Sequence, residues 1–204
     1  MVFDKQFAWP KFLMVLLLIG GVIGCAAPNK NTLQPRNLTT GLESWVENDV
    51  AYLSGVLDSH SPATLSQLIL DHPNVRILAL VDIDGSVDQQ ATMQTARLVR
   101  RLQLNTHIVR TGYVVSGGVD LFLGGVERTI DAGAGVGVHS WADTLGLKAS
   151  ELNLADPVHA TYVNFYLEMG IPERFYWFSL DAAPPERVYF MSPEEIYDFR
   201  LVTE

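Results

Sequence analysis

The chain has 204 residues, of which 48% are hydrophobic and 18% charged, and its formal net charge is −9. This is enough apolar material for one domain with a substantial core, without the charge excess that marks a disordered chain. The acidic balance argues against nucleic acid and anionic lipid as partners of the domain as a whole.

The N-terminus differs from the rest. Lys5 and Lys11 precede an apolar run from Phe12 to Ile23, and Gly20, Gly21 and Gly24 lead directly to Cys25. A run this short and glycine-rich reads as the core of a signal peptide, because a spanning helix needs about 20 apolar residues. Val22-Ile23-Gly24-Cys25 resembles the bacterial lipobox. That resemblance implies cleavage before Cys25 and a diacylglyceryl group on its sulfur, which would account for a lone cysteine in an exported chain. The other reading is an uncleaved N-terminal anchor, and both place the domain at a membrane. The expected organisation is a signal peptide over residues 1–24, a lipidated tether over 25–48 and one domain over 49–204, in the cell envelope and facing the periplasm. Loss of the leader, which carries Asp4, Lys5 and Lys11, takes the formal charge from −9 to −10.

Beyond the tether, Asp49 to Val56 alternates apolar and small residues, as a strand does. Ser61-Pro62 opens a helix carrying Leu65, Leu68, Ile69 and Leu70. His72-Pro73-Asn74 breaks it, and Val75 to Val81 is nearly all apolar, the pattern of a strand covered on both faces. Gln89 to Leu102 is amphipathic, with arginines in its last turn. Thr106 to Val109, Gly112 to Val115, Arg128 to Ile130 and Gly135 to Val138 are short strand candidates. Val119 to Gly125 and Pro157 to Met169 are helical candidates. Strands alternating with helices imply an α/β domain.

Ser116 stands between the β-branched Val114-Val115 and a predicted helix, in the order Ser116-Gly117-Gly118. A hydroxyl placed there lies beside unpaired backbone N–H groups able to hold an oxyanion, although the same string also describes an ordinary N-cap and turn. Asp120, one turn further on, reads as a charge favoured at a helix start. His60, His72, His107 and His159 show no metal-ligand spacing and there is one cysteine, so no metal and no cofactor is expected. Trp141 and Tyr176 to Phe178 read as core or subunit-contact residues that could alternatively line a groove.

The stretch from Ser116 to Gly125, SGGVDLFLGG, resembles the nucleophile segment of the Clp-protease proteolytic subunit. Val136-Gly137-Val138-His139 resembles that family's general-base segment, and LALVDIDGSVD from Leu78 to Asp88 its strand and oxyanion turn. Tyr52-Leu53-Ser54-Gly55 is similar to the first strand, and Phe190 to Val202 to the C-terminal strand and helix. The segments occur in the family's order over residues 49–204, and together they resemble the ClpP and crotonase-like superfamily, with a fold of repeated strand-strand-helix units. The resemblance implies that Ser116 attacks a carbonyl, that His139 accepts and returns its proton, and that the N–H groups of Gly85 and Gly117 bind the oxyanion. It implies a peptide or protein substrate and a homo-oligomer.

Two positions depart from the family pattern. A carboxylate, Asp84, replaces the first glycine of the oxyanion turn, and Val188 stands where the triad aspartate is expected. Asp181, in what reads as an irregular Pro-rich stretch, is the expected orienting acid, with Glu186 as a second candidate. A Ser-Lys dyad has little support, since Lys148 reads as a surface charge. The leading expectation is a membrane-tethered serine peptidase. A catalytically inactive binding or scaffold lipoprotein with the same fold is the alternative, and an acyl-thioester enzyme of the crotonase type is a weaker third.

Overall fold

The computed structural model describes residues 41–203 apart from Thr144. The expected signal peptide and the expected lipidation site, Cys25, lie outside the described residues. Among the described residues no helix is long and apolar enough to cross a membrane.

The domain is a mixed seven-stranded sheet with helices, and its strands run in the spatial order β1-β2-β3-β4-β6-β7, with β5 also paired to β4. They are β1 (Leu42–Glu47), β2 (Val50–Leu57), β3 (Ile77–Ser86), β4 (Asn105–Val115), β5 (Arg128–Ile130), β6 (Gly135–Val138) and β7 (Tyr189–Phe190). β2, β3, β4 and β6 are mutually parallel along the sheet, β5 is parallel to β4, and β1 and β7 close the two edges antiparallel. The helices are α1 (Ser61–Asp71), α2 (Gln89–Arg101), α3 (Gly117–Leu123), α4 (Pro157–Glu168), α5 (Arg174–Ala182) and α6 (Pro193–Asp198).

Three of these elements correct the sequence reading. Leu42–Glu47, expected in the tether, forms β1. It is a largely exposed edge strand bearing Glu43 and Glu47, and Trp45 stacks on Tyr52 of β2 at 5.2 Å. Arg174–Ala182 is a helix, so Asp181 belongs to its last turn and not to an irregular stretch. The two short strands expected over Thr106 to Val115 are one strand, β4. Its pairing with β3 passes from Leu80↔Ile108 directly to Asp82↔Tyr113, so the chain between Ile108 and Tyr113 bulges opposite Val81. Gly112 sits in that bulge where a Cβ would lie 2.5 Å from the Val81 carbonyl oxygen.

The core explains why the site is held firmly. Leu53, Leu57, Leu78, Leu80, Ile83, Ile108, Leu121 and Phe122 are each fully buried, and burying one such side chain contributes about 1.5–3 kcal/mol. All seven residues of α3 are buried, so this short helix is an internal element fixed by its surroundings more than by its own propensity. It packs on α2 through small residues: a Cβ on Gly124 would lie 2.5 Å from the carbonyl oxygen of Ala96. Its C-terminal carbonyls are capped by Arg100, whose guanidinium donates to Leu123 at 2.8 Å and Gly124 at 3.1 Å. α2 is anchored at its start by Asp88, whose Oδ1 accepts from the Ala91 N–H at 2.9 Å.

Candidate active site

The parallel register of β4 and β6 brings the serine and the histidine together. Val115 is level with Gly137, so Ser116, the next residue, falls level with Val138, and His139 follows one residue later on the adjoining strand. Neighbouring strands run about 4.8 Å apart, and ligands of parallel sheets bind at these carboxyl ends. Ser116 and His139 line one pocket, together with Gln89, Gly117, Asp120 and a set of aromatic rings. No hydrogen bond joins the two side chains directly.

Ser116 has φ 54° and ψ −123°, a left-handed conformation that a residue with a Cβ adopts only under constraint, at a cost of about 1–3 kcal/mol. Two hydrogen bonds hold it there. Its N–H donates to the Gly137 carbonyl at 3.0 Å, and its own carbonyl accepts from Val119 at 2.9 Å, closing the first turn of α3. A serine on a strained strand-to-helix turn has its hydroxyl lifted clear of both elements, which is the geometry nucleophilic serines use.

The glycines around it permit close approach of the backbone. A Cβ on Gly117 would stand 2.4 Å from the Cβ of Ser86, and one on Gly118 2.7 Å from Ile83 Cγ2, so α3 starts in direct contact with the end of β3. Gly85 lies across from the serine: its φ is +135°, and a Cβ there would be 3.5 Å from the Cβ of Ser116. The structure thus gathers Ser116, Gly117, Gly85 and His139 at one place. Asp84, expected to disturb the oxyanion site, does not line the pocket; its Oδ1 accepts a hydrogen bond from the Tyr113 hydroxyl on the next strand.

His139 is half-buried, and its Nδ1 is 2.7 Å from the carbonyl oxygen of Ser140. A carbonyl can only accept, so Nδ1 carries the proton and the neutral ring keeps its lone pair on Nε2. The expected orienting carboxylates are elsewhere. Asp181 is exposed in the last turn of α5, and among the described residues it makes no side-chain hydrogen bond or ion pair. Glu186 pairs on the surface with Lys148 at 2.8 Å. That contact raises the lysine pKa and lowers that of the glutamate, and it leaves neither for the site. Val188 packs beside the base strand, its Cγ1 2.6 Å from where a Cβ on Gly137 would lie.

The residue that sequence reasoning misplaced is Asp120. It is 3% exposed and does not sit at a solvated helix start. Its Oδ2 accepts from Gln89 Nε2 at 2.6 Å and its Oδ1 from the Tyr166 hydroxyl at 2.9 Å. Burial pushes its carboxyl up to about 6, against the opposing effect of those two hydrogen bonds. A warning was present in the sequence: a carboxylate inside an otherwise apolar seven-residue helix must be buried among partners or exposed by a break in the core.

The pocket wall is aromatic. Trp141 stacks on Tyr162 at 5.6 Å and Tyr162 on Tyr176 at 5.3 Å, while Trp141 Nε1 donates to the Tyr176 hydroxyl at 3.2 Å. Tyr166 meets Phe175 edge to face at 5.1 Å. Burial first, and the charge of Asp120 second, raise the pKa of both Tyr162 and Tyr166. Trp141 and Tyr176 therefore line the groove, whereas Phe178 packs away from it on Phe199 at 4.7 Å. Among the described residues no group of three or more histidine, cysteine or carboxylate side chains is arranged to hold a metal ion.

No family model matches the chain, and no curated protein matches it in sequence. Solved structures do match its shape. A ClpP1 point mutant from Listeria monocytogenes superposes with a TM-score of 0.54 at 15% identity, covering 76% of this chain and 88% of that one. The chain has the ClpP/crotonase-like fold. A point mutant of the 1510-N membrane-bound stomatin-specific protease, in complex with a substrate peptide, gives 0.51 at 13% identity over 78% of this chain and 75% of that one. DspI of Pseudomonas aeruginosa gives 0.50 at 13% identity over 84% and 75%. At these identities the likeness establishes the fold, and the chemistry must be argued from this chain's own residues.

Proposed function

We propose that this protein is a serine hydrolase acting on peptide amide bonds and tethered to a membrane by lipid on Cys25. The observation that carries the reading is the strained Ser116, held on the end of β4 beside the end of β6 that bears His139. Protein folding does not retain left-handed serine without compensation, and a nucleophile is the use that compensates best here. Two of the fold relatives are a ClpP1 and a membrane-bound protease, which supports a peptide substrate.

In this reading Ser116 Oγ attacks the substrate carbonyl while Nε2 of His139 takes its proton. The same proton then passes to the leaving amine, and water repeats the sequence on the acyl-enzyme. The N–H groups of Gly85 and Gly117 receive the oxyanion, since both approach the serine without a side chain in the way. The Ser140 carbonyl fixes the histidine tautomer as an orienting carboxylate would. It lacks the full negative charge that stabilises an imidazolium, so turnover is slow. That same substitution of a carbonyl for a carboxylate favours a second reading, an inactive peptide-binding lipoprotein.

Labelling with a fluorophosphonate probe separates the two. The hydrolase reading expects wild type to label and Ser116→Ala not to; equal labelling of both removes Ser116 from the mechanism. The tether is tested by Cys25→Ala, which should release the protein from the membrane fraction. The homo-oligomer is tested by light scattering, where a monomer would count against it.

A further inference from the structure

Asp120 is an uncompensated buried carboxylate. Two neutral donors, Gln89 and Tyr166, satisfy part of its acceptor capacity, and among the described residues no lysine, arginine or histidine forms an ion pair with it. An ionised carboxylate has about four lone-pair positions, so acceptor capacity remains. The same pocket presents the rings of Trp141, Tyr162, Tyr166 and Tyr176. A buried negative group lining a pocket together with aromatic rings is the arrangement that binds organic cations, through ion pairing and attraction to the ring faces.

We propose that the pocket selects a cationic substrate side chain of the primary ammonium type, with Asp120 as the residue that determines this specificity. The inference rests on the hydrolase reading for its substrate, because the pocket that holds Asp120 also holds Ser116 and His139. The cation enters past Ser116 and places its ammonium against Asp120, with its alkyl stem along Tyr162 and Trp141. The formal charge of −9 on the whole chain draws such substrates toward the protein. Neutral apolar side chains of the same length leave the carboxylate desolvated and unpaired, and are disfavoured.

The test measures ligand binding separately from chemistry. Isothermal titration at pH 8 with n-butylammonium and with n-butanol is made on wild type, Ser116→Ala and Asp120→Asn. The expected result is ammonium binding to wild type and Ser116→Ala with similar affinity, at least tenfold tighter than butanol, and a tenfold or greater loss in Asp120→Asn. Ammonium binding no tighter than butanol, or unaltered in a folded Asp120→Asn, overturns the proposal.

Should Asp120→Asn not fold, His139→Gln supplies the second measurement. The other titratable groups lining the pocket are then Tyr162 and Tyr166 of α4 and Tyr176 of α5, all with raised pKa values, while His159 of α4 sits behind Tyr176, its Nδ1 2.6 Å from that hydroxyl, and does not line the pocket. Ammonium affinity in that variant should fall at least fivefold between pH 8 and pH 5, and constant affinity overturns the proposal. In the enzyme, peptides with lysine before the scissile bond should exceed norleucine peptides in kcat/KM by at least tenfold. If fluorophosphonate labelling fails while ammonium binds, the hydrolase reading falls and the ligand class stands. If labelling succeeds and ammonium does not bind, the reverse holds.

Discussion

The backbone N–H of Ser116 donates to the carbonyl of Gly137 across 3.0 Å, and this bond ties the turn bearing the serine to the strand that ends in His139. It is the continuation of the β4–β6 ladder by one residue, so sheet pairing itself sets the spacing of the two side chains. Directly after this bond the chain leaves the ladder, turning into α3 with a Ser116 φ of 54°. Replacing Ser116 by glycine should therefore relieve the conformational cost and raise stability by about 1 kcal/mol, allowing for the extra chain entropy of glycine. Ser116→Ala keeps the Cβ and should show no comparable gain. Urea midpoints of the two variants against wild type decide it; equal midpoints for glycine and alanine would show that the turn is unstrained.

Gly117 and Gly85 should respond to alanine for different reasons. A Cβ on Gly117 meets the Ser86 Cβ at 2.4 Å, and both atoms are close to backbone, so α3 must shift off β3. The expected cost is about 1–3 kcal/mol, with loss of fluorophosphonate labelling. A Cβ on Gly85 has room, its nearest neighbour being 3.5 Å away, but its φ of +135° is open only to glycine. Gly85→Ala should thus rotate the local backbone and reduce the labelling rate at least tenfold. Denaturation and labelling measured on the same samples separate packing loss from loss of the oxyanion N–H. Labelling at the wild-type rate in Gly85→Ala would remove that residue from the oxyanion role.

The alternation of strands and helices was legible because β3, α2, α3 and β6 carry strong hydrophobic periodicity or turn residues. Ser116, His139, Gly85 and Gly117 were legible as segments in a familiar order, and the sheet places those segments side by side. What failed to show was set by tertiary environment. β1 is a polar edge strand whose exposed glutamates hide its alternation. α5 is short, flanked by Pro172 and Pro184, and apolar on most of its circumference, so no amphipathic stripe marks it. The burial of Asp120 depends on Gln89 and Tyr166, which lie 31 and 46 residues away. No local pattern could pair them.

The histidine should prove essential and the two remote carboxylates dispensable. Among the described residues His139 is the only histidine lining the pocket, so His139→Gln removes that base, and labelling should drop at least a hundredfold. Asp181→Asn and Glu186→Gln should each leave labelling within twofold of wild type, because Asp181 is exposed on α5 and Glu186 is engaged with Lys148. A large loss in either would mean that the loop after α5 rearranges to bring a carboxylate onto His139 when substrate binds.

Asp120 carries a stability signature as well as the specificity role. Its carboxyl titrates at about 6 in the folded protein, against a reference value of 3.8. In the window between those two values the native state holds more protons than the unfolded state, so this residue makes stability fall as pH rises through it. Below the window both states are protonated and the contribution is absent; above it the ionised, buried carboxylate costs about 3 kcal/mol, from about 1.4 kcal/mol per pKa unit. Asp120→Asn keeps an acceptor for Tyr166 and removes the charge. It should therefore be more stable than wild type at pH 8, and the gain should shrink progressively as pH falls through the window and level off below about pH 3. Urea midpoints of both proteins at four pH values across that range give the difference curve, in which residues titrating identically in the two proteins cancel. A flat difference would mean that the carboxyl is hydrated through the pocket mouth and ionises as it does in water. Adding n-butylammonium at pH 8 should recover part of the cost in wild type alone, because a bound cation supplies the charge compensation that the folded chain lacks.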